Sequence, residues 1–504
     1  MRTKKALFNI ISGMGYQMVA IICGLITPRL ILYSFGSTYN GVINSATQFL
    51  NMINILTFGI TGTTRVALYK TLANYDMFGT SRIMKATKIY MQKVGVTVVI
   101  YALLLCLLYP LFAKNDLTRR ENMLIIAIVS IGTFAQFFFG LSNTTLLNAD
   151  QASYIVNTVN IIKTLINTIC VALLIWIGAS IFVVKLGSSI IFFIAPVVLE
   201  IYVRKKYSLT NKCESDNVVL KGRGAVVFHQ VANIIHDNTD IVILTLFVDA
   251  KLISVYTVYY LVIGKVKTLL QVFTSGMEAA FGQMLVKHEM ETLQKSFRTY
   301  EFLIFSFTAV VFSCVGVLIL PFVSVYTQGI TDVNYYRMDL AILITITEAA
   351  YCVRQPYLLL VYAAGKYKET RIGAMLEAAI NVCLSLILVQ KMGIVGVVIG
   401  TLVANIFRTV QYSYYISKNI LHRDIKEFAK RVLWLITCIL VSVFLSLNAK
   451  NALSFQTNWS AWIVEAIMVF SIALLTTAIM STVSYRNDQL NLISYAKRAI
   501  TKRG

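Results

Sequence analysis

The sequence predicts an all-α polytopic membrane protein of about fourteen transmembrane helices, with two six-helix lobes around a central cavity and two further helices at the C-terminus. Three observations carry that expectation: an apolar composition, apolar runs long enough to cross a bilayer, and a one-sided distribution of basic residues. Hydrophobic residues make up 57% of the 504-residue chain, mean hydropathy is +0.72 and only 13% of side chains are charged, against about a quarter in soluble domains. At about 20 residues per spanning helix, most of the length is membrane. No sizeable aqueous domain fits, which excludes a large extracytoplasmic enzyme.

The first run, near residues 7–33, lacks a small-residue cleavage site and is too long for a signal-peptide core, so it is expected to stay in the protein. Spans two to seven follow near 41–62, 94–112, 123–145, 154–177, 181–203 and 226–247. Spans eight to fourteen are expected near 255–281, 302–325, 339–363, 372–390, 393–416, 432–447 and 462–482. Pro28 is expected to kink span one. Gly393, Gly396 and Gly400 mark close helix packing rather than a binding loop. Two stretches echo one another at a distance of six spans. Phe35 to Arg65 pairs with Phe247 to Gly282, and LLNADQASY, ending at Tyr154, pairs with VYAAGKYKET, ending at Thr370. An even separation gives both halves the same orientation. The expected divisions are an N-lobe at 1–225, a C-lobe at 226–431, and spans thirteen and fourteen with a tail at 432–504.

The net charge of +22 would suggest nucleic acid in a soluble protein. In a polytopic one it is read loop by loop. With the N-terminus inside, inner segments hold 31 Lys and Arg and outer ones 7, which predicts both termini in the cytoplasm and no nucleic-acid partner. Arg82, Lys85 and Lys88, at i, i+3 spacing, form a basic stripe on the inner side, either lying on anionic headgroups or simply solvated. All eight cysteines except Cys213 lie in apolar runs without CxxC spacing, so neither disulfides nor a metal site is expected.

Ionisable groups inside a span cost about 2.5–3.5 kcal/mol each on insertion scales, so they should face protein or water. Asn157, Asn160, Lys163, Thr164 and Asn167 share one face of span five, and Asn44, Gln48 and Asn51 share one of span two. His229, Asn233, His236, Asp237 and Asp240 lie on span seven; Tyr260, Gly264, Lys267 and Gln271 on span eight; Glu348, Tyr351, Arg354 and Gln355 on span ten; Glu377 and Asn381 on span eleven. Singly, such groups serve to pair helices. Together, in both halves, they indicate a wet central cavity. Its cations, Arg29, Lys163, Lys185, Lys267 and Arg354, with Lys265 turned about 200° from Lys267, suit an anionic group such as a phosphate or diphosphate. Asp237 and Asp240 beside His236, with Glu348 and Glu377, are candidates for binding Na⁺ or a proton, or for helix-to-helix hydrogen bonds. No GxGxxG, P-loop, HExxH or GxSxG pattern is present. No cofactor is expected, and the residues leave open whether transport is driven by protons, by Na⁺ or by neither.

The opening RTKKALFNIISGMGYQMVAIICGLITPRLILYSFGSTYNGVINS, the following FGITGTTRVALYKTLANYD and the mid-chain NTDIVILTLFVDAKLISVYTVYYLV resemble the polysaccharide flippases of the Wzx type. These belong to the multidrug, oligosaccharidyl-lipid and polysaccharide exporter (MOP) superfamily. Gly36, Tyr39, Gly41, Gly59, Tyr69 and Asp240 are the most recognisable positions. The resemblance implies alternating access and movement of an undecaprenyl-diphosphate-linked oligosaccharide to the outer leaflet of a bacterial inner membrane. Cavity cations would hold the diphosphate, and a polymerase and chain-length proteins would be partners. A related lipid II flippase also has fourteen spans and a cationic cavity, but its arginine-rich early helices are not reproduced here. A drug and cation exporter of the superfamily has twelve spans and an acid-lined cavity. A membrane polymerase or glycosyltransferase needs a large outer loop or outer acids, and here the outer acids are chiefly Asp116, Glu121, Asp249 and Asp332.

Overall fold

A computed structural model describes residues 2–57, 60–210, 213, 238–274, 277–453 and 457–501. The described residues are almost entirely helical, as the apolar runs require: away from water, a backbone must satisfy its own polar groups, and a helix does so within one segment. Ten helices among them are long and apolar enough to cross a membrane. The chain is a multi-pass membrane protein. It divides into two compact units, 1–257 with 329–333, and 258–328 with 334–504. The expected lobe boundary at 225/226 lies outside the described residues, as do Gly59, His229, Asn233, His236 and Asp237.

In the first unit, spans one and two form a single element, α1 (Arg2–Asn51), broken at Gly36. Gly36 has φ 82°, a left-handed conformation that glycine adopts without strain. The helix restarts at Ser37, whose backbone N–H and Oγ donate to Asp332 at 2.7 and 2.6 Å. Asp332, an outer acid in the sequence, thus caps the second half of α1. One turn later, a Cβ on Gly41 would run into the backbone carbonyl of Ala250, so only glycine permits this approach.

Residues 63–93, which lie between spans two and three of the sequence, are largely helical. They fall in α2 (Ile60–Ala73) and the first half of α3 (Met77–Phe112), because Asp76 caps α3 by accepting from Gly79 N–H at 2.7 Å. Then follow α4 (Arg119–Ala135), a π-helical turn (Gln136–Gly140) and α5 (Leu141–Ala149). Helices α6 (Ser153–Trp176), α7 (Ile181–Ile191), α8 (Ile194–Lys206) and α9 (Asn238–Phe247) complete the unit with the start of α10 (Ala250–Thr274). Asn40 donates to Ser254 Oγ at 2.7 Å and Ser45 bonds Thr245 Oγ1 at 2.5 Å, tying α1 to α9 and α10.

The second unit holds the rest of α10, then α11 (Met277–Val286), α12 (Met290–Tyr326), α13 (Met338–Ala363), α14 (Tyr367–Met392) and α15 (Ile394–Asn419). It ends with α16 (Lys426–Leu453), α17 (Trp459–Ser484) and α18 (Arg486–Thr501). Helices α14 and α15 pack closely, as the glycine spacing predicts: a Cβ on Gly396 would meet the Leu388 backbone and one on Gly400 would meet Ser385. At the basic end of this unit Glu301 joins Arg423 and Arg431, each at 2.9 Å, and Asp488 joins Arg431 and Arg298, also at 2.9 Å. This network ties α18 to α12 and α16.

Candidate functional site

In the first unit the polar face of α6 divides its work. Asn157 donates to Ser12 Oγ at 3.1 Å, binding α6 to α1, and Asn167 accepts from Ser188 Oγ at 2.6 Å, binding it to α7. Between them Asn160 and Lys163 face a cavity of about 340 Å³, also lined by Tyr16, Gln136, Gly140, Thr144 and Phe192. Gln136 and Gly140 are the two ends of the π-helical turn, a feature often found where a helix serves a site. Lys163 Nζ donates to Asn160 Oδ1 at 3.0 Å and stands 5.0 Å from the Phe192 ring centre. Among the described residues it pairs with no carboxylate, and neither does Lys185, which is half-buried on α7. Arg29 is half-buried on α1 beside Pro28. Neither Lys185 nor Arg29 lines this cavity.

The second unit treats its cations differently. Lys267 Nζ lies 2.9 Å from Glu348, a carboxylate with no exposed surface. Tyr260 Oη accepts from Lys267 at 3.0 Å and donates to Glu348 at 2.8 Å. The Tyr351 ring carries two cations, with Lys267 Nζ 4.3 Å and Arg354 Cζ 4.7 Å from its centre. Arg354 pairs with Glu377, and Glu377 also takes Arg408 at 3.3 Å. Arg408, which also binds Gln411, is buried with Arg354 and Glu377. Three cations therefore share two carboxylates. Arg354, expected to face the cavity, is instead only 4% exposed and ion-paired.

Of the ion-coupling candidates, Asp240 is buried and accepts from Tyr256 Oη at 2.9 Å. Glu348 and Glu377 are the two acids of the second-unit cluster. Lys265 is half-buried. Sequence reading brought Tyr260, Lys267, Glu348 and Tyr351 forward on two separate spans, and the structure gathers them. It missed the part played by Arg408, whose only signal was a charge inside a span. It also missed the apolar groove of about 510 Å³ among α13, α15 and α16, lined by Ile346, Val353, Ile406, Val410, Leu435 and Ile439 among others.

The sequence matches no protein-family model and no curated protein. Solved structures do resemble it. A lipid II flippase, MurJ, in an inward closed conformation superposes with a TM-score of 0.66 at 15% identity, covering 96% of this chain and 99% of that one. The chain has the fold of the MOP exporters. A multidrug-resistance MATE family transporter of that superfamily, inward-facing, gives 0.62 at 14% identity, covering 83% of this chain and 99% of its own. A MOP superfamily transporter from Pyrococcus furiosus, described as having a binding pocket of reversed polarity, gives 0.57 at 13% identity over 81% and 96%. The MOP fold accounts for the all-helical architecture.

Proposed function

We propose that this protein is a flippase that moves an undecaprenyl-diphosphate-linked oligosaccharide repeat unit from the inner to the outer leaflet of a bacterial inner membrane. Transport runs by alternating access, with both termini cytoplasmic, and feeds synthesis of a surface polysaccharide. A polymerase and chain-length proteins would take the product. The protein carries substrate across and performs no bond chemistry on it.

The observation that carries this reading is Lys163, a membrane cation in a polar cavity without a carboxylate partner among the described residues. A fixed positive charge there attracts a diphosphate and repels the organic cations of a drug exporter. Each charge-assisted hydrogen bond to the diphosphate is worth about 1.5–3 kcal/mol. Arg29 and Lys185 are assigned the same role, and Lys267 takes it up only once a rearrangement loosens its pair with Glu348. Arg354 joins them once a rearrangement loosens its pair with Glu377. Energy enters as a proton or sodium gradient through Asp237 or Asp240, and Asp→Asn at either position should slow gradient-driven transport while leaving membrane insertion intact.

A second reading, lipid II as the substrate, is favoured by the MurJ superposition, which spans more of the chain than that of the MATE transporter. Both substrates share the polyprenyl diphosphate and differ in the sugar. Complementation separates them. The gene should restore surface polysaccharide to a strain lacking its polysaccharide flippase and fail to sustain growth of a strain depleted of its lipid II flippase. The reverse pattern would replace the first reading with the second.

A further inference from the structure

Around Lys163 the cavity of the first unit gathers neutral polar groups as well as a charge. Tyr16 comes from α1, Gln136 from the first position of the π-helical turn, Asn160 and Lys163 from α6, and Phe192 from the C-terminal end of α7. A Cβ on Gly140, at the other end of the turn, would touch Pro196 Cγ at 3.4 Å, so α8 closes against the turn and forms one wall. Lys163 Nζ uses Asn160 Oδ1 as its acceptor at 3.0 Å. Among the described residues, Asn160 Nδ2, Tyr16 Oη and both ends of the Gln136 carboxamide have no hydrogen-bond partner. Inside a membrane span an unmet amide or phenol is costly. Three of them on one cavity call for a ligand, or water, to meet them.

We propose that this cavity takes the sugar joined to the diphosphate together with the phosphate that bears it, and that Gln136 and Tyr16 are its specificity-determining residues. The inference rests on the flippase reading and deepens it. Each phosphate of a polyprenyl-diphosphate-linked sugar is negatively charged, and among the described residues the lining holds a single cation, Lys163. The cavity therefore matches one phosphate and not two. The rest of its polar lining is neutral. Carboxamides and phenols both donate and accept, as sugar hydroxyls do, and the rings of Tyr16 and Phe192 offer apolar faces to the C–H side of a pyranose. A volume of about 340 Å³ is at the lower end of the range of about 300–1,000 Å³ usual for ligand sites. That gives room for one sugar phosphate, and none for a whole repeat unit with its polyprenyl chain.

The test is a ligand-observed NMR titration of the purified full-length protein in detergent. Glucose 1-phosphate, galactose 1-phosphate and N-acetylglucosamine 1-phosphate are compared with methyl phosphate, which carries the same charge without the sugar. At least one sugar phosphate should bind about tenfold or more tightly than methyl phosphate, as two or more neutral hydrogen bonds allow. Lys163→Ala should weaken every probe by about tenfold or more. Gln136→Ala and Tyr16→Phe should each cut the advantage of the sugar by about twofold to tenfold and leave methyl phosphate unchanged, which a merely structural role would not do. Tyr16→Phe deletes a single hydroxyl and serves where Gln136→Ala disturbs the turn. Sugar phosphates that bind no better than methyl phosphate, while Lys163→Ala still weakens both, would overturn this inference and leave the diphosphate reading standing. So would an advantage unaltered in both Gln136→Ala and Tyr16→Phe. Affinities that Lys163→Ala leaves unchanged for every probe would overturn the diphosphate reading of the cavity, and this inference with it.

Discussion

Lys163 and Lys267 are both membrane-embedded lysines, one in each unit, and they are held in opposite ways. Lys267 touches a fully buried carboxylate, two tyrosines and, through Tyr351, a second ion pair. Lys163 touches an amide oxygen and an aromatic ring at the edge of a polar cavity. A buried charge stripped of its partner is far more costly than one that keeps water and neutral hydrogen bonds. The first arrangement therefore fixes helices against one another, and the second leaves a charge for something that arrives.

The largest difference between the units should appear in stability. Glu377→Ala leaves Arg354 and Arg408 buried against each other and should destabilise the second unit by about 3–5 kcal/mol, read as a lower melting temperature in detergent and faster proteolysis. Lys163→Ala removes no ion pair among the described residues and should melt within about 1 kcal/mol of the parent. In transport the order reverses. Lys163→Ala should lose about tenfold or more, the worth of one charge-assisted hydrogen bond, and Lys163→Arg should recover part of it because the charge remains. Lys391→Ala, at an exposed position at the end of α14, should match the parent in both assays.

A smaller effect concerns pH. Asp150, between α5 and α6, is partly desolvated, which raises its pKa, but the Tyr207 hydroxyl at 2.7 Å together with Lys5 and Lys206 outweighs this and leaves the carboxyl below its usual value. Its contribution to stability is present above the unfolded-state pKa of about 3.9 and is lost as pH falls through the lower folded value. Near neutral pH, Asp150→Asn should cost about 1 kcal/mol or less. Titrating the melting temperature downward should show the variant losing less than the parent.

Periodicity makes some of this legible in the chain and leaves the rest hidden. Asn157, Asn160, Lys163 and Asn167 recur at three and four residues, and that spacing alone puts them on one face. The same rule found the stripe of Lys85 and Lys88 but not the direction it faces, because Glu200 on α8 and the carbonyl of Cys213 decide that. Arg354, Glu377 and Arg408 belong to three helices and meet only through tertiary packing, so a sequence shows three isolated charges where the fold makes a cluster. Spans near 7–33 and 41–62 leave Gly36 between them. What the sequence could not show is that Asp332, almost three hundred residues later, restarts the helix at Ser37.

The role assigned to Lys163 can be measured as surface polysaccharide in a strain lacking its own polysaccharide flippase, with the amount of each variant in the membrane equalised. The parent, Lys391→Ala and, in part, Lys163→Arg should restore display, and Lys163→Ala should leave it about tenfold or more lower. Display by Lys163→Ala equal to that of the parent would contradict the assignment of this cavity to the diphosphate.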